Sequence, residues 1–239
     1  MKRVFYFPSL LLLSAFVFVG CSQTTESDEP NYPQIPNQKT ETSIAENHPD
    51  TYAQMVRTNV ESFTFFSSFV IQPSGSGWVK NGNTWSFSQT QNGAGYTYKL
   101  TENETSYSYQ YILNGEIDDV TYVNFVAISG SVAKSGQTAE WKLFESEDGV
   151  SGWTVMDFDY FEHPTTKVKS IEYKSYSSEN HEQVDFDYSA SINPDKSGMY
   201  VYYLGGTALS EATWAANGSG SLKDYSGEST VTHEWTANP

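Results

Sequence analysis

The chain has 239 residues with 29 acidic and 13 basic side chains, a formal charge of −16, and an aromatic complement of 17 Tyr, 14 Phe and 6 Trp. That charge repels phosphate backbones and anionic headgroups, so it argues against nucleic acid as a partner and against a basic face holding the protein to a membrane. A single cysteine excludes an internal disulfide framework.

Met1-Lys2-Arg3 is followed by an apolar run from Val4 to Val19 and by Gly20-Cys21. A basic start, a hydrophobic stretch and a small residue before a cut describe a secretory signal peptide over residues 1–20. The run is interrupted by Pro8 and is too short for a permanent membrane span. Phe18-Val19-Gly20-Cys21 resembles the lipobox of bacterial lipoproteins, with Phe18 where that box usually carries Leu. The resemblance covers about the first tenth of the chain. It implies cleavage before Cys21, lipidation (palmitate included) of that thiol, and anchorage in the bacterial cell envelope. Ser22 stands where Asp would signal inner-membrane retention, which directs the expectation to the outer membrane. Glu26-Ser27-Asp28-Glu29 resembles the surface-export signal of Bacteroidota lipoproteins, although an acidic tether explains the same residues. Cleavage removes Lys2 and Arg3 and no acid, leaving 11 basic and 29 acidic residues and a charge near −18.

Residues 21–48 are rich in Ser, Thr, Glu, Asn, Gln and Pro and nearly devoid of apolar side chains. Such a segment offers nothing to offset the entropy of ordering, so a disordered tether is expected, with a reach on the order of 30 Å. Residues 49–239 then suit one domain with a core of its own.

A helix is expected over about 50–66. Asp50 is a favourable N-cap, and Tyr52, Met55, Val56, Val60 and Phe63 follow at helical spacing, extending to Phe66. Phe63, Phe65 and Phe69 could equally open a strand. The stripe reads as a core-packing face rather than a cofactor site.

From Trp78 the period changes to two. Trp85/Phe87, Tyr96/Tyr98/Leu100, Tyr107/Tyr109/Tyr111/Leu113, Val184/Phe186/Tyr188/Ala190/Ile192, Tyr200/Tyr202/Leu204 and Val231/His233/Trp235 alternate with intervening residues that are mostly polar. This marks strands with one buried and one wet face, as in antiparallel sheets. Asn81-Gly82, Asn92-Gly93, Asn114-Gly115, Asp148-Gly149, Gly205-Gly206 and Asn217-Gly218 punctuate them as turns. A hairpin style recurs, with Trp85, Trp141 or Trp214 ahead of a glycine turn, and it resembles that of β-rich lipoproteins with no assigned activity. The expected fold is all-β: an antiparallel up-and-down meander of about 11–13 strands curled into a barrel or half-barrel, with one N-terminal helix. A half-barrel with a helix across its mouth is similar in outline to periplasmic lipoprotein carriers of the LolA and LolB kind, though no motif is shared.

Asp157-x-Asp159 and Asp185-x-Asp187 place paired carboxylates on one side of a strand, but they alternate with aromatics and read as solvated acids rather than a calcium site. Glu145, Glu147 and Asp148 lack the spacing of a calcium loop. His48, His163, His181 and His233 have no His or Cys partner at metal-ligand spacing. No G-x-S-x-G elbow is present, and the Gly-x-Gly pieces at 75–77, 93–95 and 218–220 lead into strands, which removes a phosphate cradle. Asn103-Glu104-Thr105 and Asn217-Gly218-Ser219 match a glycosylation pattern by chance. No catalytic residue, metal or cofactor is expected, and the chain does not read as an enzyme. Two functions remain: non-catalytic binding or carriage of an apolar or amphipathic ligand at the envelope, or a surface-exposed interaction or structural lipoprotein that binds glycan or protein. A cavity lined by the alternating aromatics would favour the first. A solid core with Trp or Tyr grouped on an exposed face would favour the second.

Overall fold

A computed structural model describes residues 36, 38–67, 77–91 and 93–237, apart from the side chains of 63–67. The signal peptide, Cys21, the acidic run at 26–29 and the side chains of Phe63, Phe65, Phe66 and Phe69 lie outside the described residues.

One helix, α1 (Thr51–Ser67), precedes thirteen strands. They are β1 (Val79–Asn81), β2 (Thr84–Gln91), β3 (Ala94–Glu102), β4 (Ser106–Ile117), β5 (Val120–Ala133), β6 (Thr138–Glu145) and β7 (Trp153–Glu162). There follow β8 (Lys169–Tyr176), β9 (Val184–Ile192), β10 (Gly198–Leu204), β11 (Thr207–Trp214), β12 (Gly220–Asp224) and β13 (Val231–Trp235). All belong to one sheet in chain order, each antiparallel to its sequence neighbour. β1 and β13 do not pair, so the sheet is a curled half-barrel and the closed barrel is excluded.

The period-two pattern becomes rows of facing side chains across the sheet. One row runs Trp85, Leu100, Tyr109, Gly130, Trp141, Phe158, Tyr173, Tyr188 and Tyr202 from β2 to β10. A second runs Val132, Ala139, Tyr160, Ile171, Ala190, Tyr200, Ala212 and Leu222 from β5 to β12. Nearly all of these are buried and form the core. Large rings require small residues opposite. Trp214 lies against Gly198 and Trp235 against Gly220, and each indole N–H donates to a carbonyl two residues before its glycine, Lys196 O at 2.6 Å and Gly218 O at 2.7 Å.

Most expected turns are present. Gly205 and Gly206, both at positive φ (54° and 78°), make the two-residue β10–β11 loop. Asn114-Gly115 is a correction: it does not turn the chain but lies inside β4 at a register shift, with Gly115 at φ 95° against the backbone of Gly93. The reversal comes at Asp118-Asp119, which adopt the positive φ angles that aspartate tolerates better than most residues.

Asp50 caps α1 as expected, its Oδ1 accepting from Tyr52 N at 2.8 Å and Ala53 N at 3.1 Å. The buried stripe is narrower than the sequence pattern suggested. Ala53, Val56 and Val60 are fully buried, whereas Tyr52 and Met55 are about 40 % exposed. Tyr52 instead stacks its ring on His233 of β13, with centroids 3.7 Å apart. From there the helix runs across the concave face toward Tyr200 of β10, whose hydroxyl Asn59 contacts at 3.4 Å.

The tether does not extend to residue 48. Gln38, Thr40, Thr42 and Ile44 alternate inward with outward Lys39 and Glu41, and His48 is also buried. This strap crosses the turns at one end of the sheet. Lys169 Nζ donates to Lys39 O, Glu41 pairs with Lys196, and Ser43 bonds the carbonyls of Lys196 and Ala215. Thr40 Oγ1 donates to Val60 O, which ties strap to helix. At its far end Asp50 N donates to His48 Nδ1, leaving the ring proton on Nε2 to donate to Thr236 O. The strap was invisible to composition because its inward residues are Gln and Thr, whose burial is compensated by hydrogen bonds rather than by apolar area.

Candidate functional site

Beside α1, on the side away from the strap, the concave face holds a cleft of about 470 Å³. The helix contributes Asn59 and Ser62, β7 and β8 contribute Met156, Tyr173 and Ser175, and β9 to β11 contribute Phe186, Tyr188, Tyr200, Tyr202 and Ser210. The strand residues belong to inward-facing rows.

Its rings are mutually braced. Phe186 and Tyr202 have centroids 4.5 Å apart, Tyr188 and Tyr200 5.3 Å, and Tyr173 meets Phe186 edge-on at 5.4 Å. Such pairs fix ring orientation as well as burying area. Burial raises the hydroxyl pKa of Tyr173, Tyr188, Tyr200 and Tyr202, with proximity to Tyr200 adding to the effect at Tyr188. All four stay protonated and uncharged across the physiological range. Among the described residues, no Lys, Arg, His, Asp or Glu lines the cleft. It therefore offers apolar faces with hydroxyl and amide groups spaced among them, a surface suited to an uncharged or amphipathic molecule.

The residues singled out from sequence lie elsewhere. Asp157, Asp159, Asp185 and Asp187 alternate with the inward-facing aromatics and occupy the outer face. There Tyr176 OH donates to Asp157, and Lys174 lies across from Asp157 and Asp187. The carboxyl pKa of Asp159 is raised by loss of water and then by Asp157, Glu140 and Glu172. Glu145 is raised by burial, offset by His181. Asp148 knits its own loop, accepting from Val150 N (2.9 Å), Ser151 N (2.7 Å) and Ser146 Oγ (2.9 Å), and these bonds push its carboxyl down to about 2. His181 stacks flat on Trp153 at 4.1 Å, and His163 Nδ1 accepts from Thr165 N and Thr166 N within a turn. Among the described residues, no group of three His, Cys, Asp or Glu side chains is placed to hold a metal ion. No described helix is long and apolar enough to cross a membrane.

Sequence reasoning missed Asn59 and Ser62, which belong to the polar side of the helical pattern. Their signal was position, since both flank the Val56–Val60 stripe and so stand at the edge of the helix's contact with the sheet. Against known proteins, no protein-family model matches the chain and no curated protein matches it.

Proposed function

We propose that this protein is a lipid-anchored lipoprotein of the bacterial envelope, held through Cys21 at the outer membrane, that binds or carries an apolar or amphipathic ligand without catalysis. The observation that carries the binding reading is the aromatic cleft beside α1, with its uncharged, hydroxyl-bearing lining. The basic start, apolar run and lipobox-like residues 18–21 support the anchoring. A typical small-molecule site has a volume of roughly 300–1,000 Å³, mostly apolar walls and a few orienting polar groups, and the cleft falls within that range.

One experiment tests both halves. The neutral dye N-phenyl-1-naphthylamine is titrated into the purified domain, and a palmitate analogue is fed to cells producing the full chain. Saturable fluorescence should appear and be lost in Ser210→Trp, which fills the cleft without removing a core ring. Label should enter wild type and not Cys21→Ser, which should move to the soluble fraction. Dye binding unchanged in Ser210→Trp would overturn the cleft and leave the surface-interaction reading ahead. Label and membrane retention persisting in Cys21→Ser would overturn the anchor.

A further inference from the structure

The strand ends next to the cleft lead into turns rich in carboxylates. The outermost cleft row, Met156, Ser175 and Phe186, lies one to three residues from the β6–β7 and β8–β9 turns. The β8–β9 turn holds Glu179 and Glu182 around His181, and β6 ends on Glu145 ahead of a turn with Glu147 and Asp148 that packs on β5; neither turn contains Lys or Arg. At about 3.3 Å per strand residue, the strand ends that carry these turns lie within roughly 10 Å of that row, about one Debye length at 0.1 M salt. The opposite end of the sheet is different. There Lys134, Lys167 and Lys196 each meet a glutamate (Glu102, Glu162 and Glu41), so its charges are balanced locally.

Among the described lining residues nothing carries a charge to neutralise one brought in. Their titratable side chains are tyrosines held protonated by burial. A charged group entering the cleft loses hydration and gains hydrogen bonds at most, with no counter-charge. An anion is opposed a second time at the border, where the carboxylates raise its energy before it arrives.

Resting on the binding role proposed above, we infer that the cleft selects ligands by charge: its ligand is an uncharged amphiphile, and anionic amphiphiles such as fatty-acid carboxylates and acidic lipids are rejected. The lining sets the neutrality, and the carboxylates of the β8–β9 turn set the sign of the discrimination.

The test is displacement of bound N-phenyl-1-naphthylamine by three straight-chain probes of ten chain carbons, the carboxyl carbon counted: decanol, decanoate and decyltrimethylammonium. Each is measured at about 10 mM and about 0.5 M salt, conditions that move the Debye length from roughly 30 Å to under 5 Å. Decanol should displace the dye equally at both. Decanoate should be weaker than decanol by about tenfold or more at low salt, with the gap narrowing at high salt and in the exposed-turn variant Glu179→Lys/Glu182→Lys. Decanoate matching decanol at low salt, or a gap that ignores both salt and the variant, would overturn the selection while leaving the binding role standing. Decyltrimethylammonium outcompeting decanol would overturn neutrality in favour of a cationic ligand. Absence of dye binding in the wild type would overturn the cleft reading and this inference together.

Discussion

Gly220→Ala is the smallest change with the largest consequence that this sheet predicts. An added Cβ at Gly220 would stand 2.3 Å from Thr213 O, 2.4 Å from Trp235 Cζ2 and 2.9 Å from Trp235 Cε2, all inside van der Waals contact. The backbone oxygen is held by the β11–β12 ladder, so the strands must part locally and the indole must yield as well. Moving it lengthens the 2.7 Å bond from Trp235 Nε1 to Gly218 O, at a site where Trp235 is 5 % exposed and water cannot replace the carbonyl. Overpacking costs about 1–3 kcal/mol, and orphaning a buried donor costs about another 1–3 kcal/mol, so roughly 3–4 kcal/mol is expected. For a domain of this size that is a fall in Tm on the order of 6–16 °C. Urea denaturation followed by tryptophan fluorescence measures it. Ser221→Ala, one residue away on the wet face, should stay within about 0.5 kcal/mol. In a Trp235→Leu background the added methyl should cost less, since the ring has gone and only the clash with Thr213 O remains. An undiminished penalty there, or a single variant as stable as wild type, would refute the account of the Trp–Gly pair.

Two further outcomes follow from the strap and the Asp148 loop. Trypsin should cut the Lys39–Thr40 bond slowly in the wild type and quickly in Ile44→Asp, which forces a charge under the strap; equal rates, read by mass spectrometry, would mean that the strap does not dock. Because the folded carboxyl of Asp148 sits at about 2, below its ordinary 3.8, its hold on the 146–151 loop is complete above the ordinary value and is lost only as pH falls through 2. The amides of Val150 and Ser151 should therefore stay protected from exchange at pH 3 in the wild type and be open in Asp148→Ala, and an open wild-type loop at that pH would contradict the assignment.

Strands were legible in the sequence because a half-wet sheet writes its period into every residue: the Phe186/Tyr188/Ala190 alternation is the inner face itself. The Asp50 cap was legible for a similarly local reason. Three features were not. Gly115 carries the same Asn-Gly signal whether the chain turns or bulges, and only the partner strand decides which. Tyr52 and Met55 fit a helical stripe, but how much of a stripe is covered depends on where the sheet curls. The strap reads as disorder because hydrogen bonds to distant carbonyls leave no trace in local composition. The cleft shares that difficulty, since its walls are core residues by every sequence criterion. They become cleft walls only through the placement of α1 beside them, a tertiary fact.

Each strand of the sheet pairs only with its sequence neighbours, so the meander can assemble in the order in which the chain is made, each hairpin requiring contacts a few residues apart. The strap and helix obey the opposite rule. Ser43 waits for Ala215, 172 residues later, and His48 for Thr236, 188 residues later. The strap therefore cannot find its place until Ala215 and Thr236 have been made. A chain shortened before β13 could build most of its sheet yet would lack the dock for Tyr52 and His48, leaving the buried faces of strap and helix in water. Such a chain would carry its own mark of incompleteness at the end opposite the missing residues, exposed to the proteases and holdases that survey unfinished proteins.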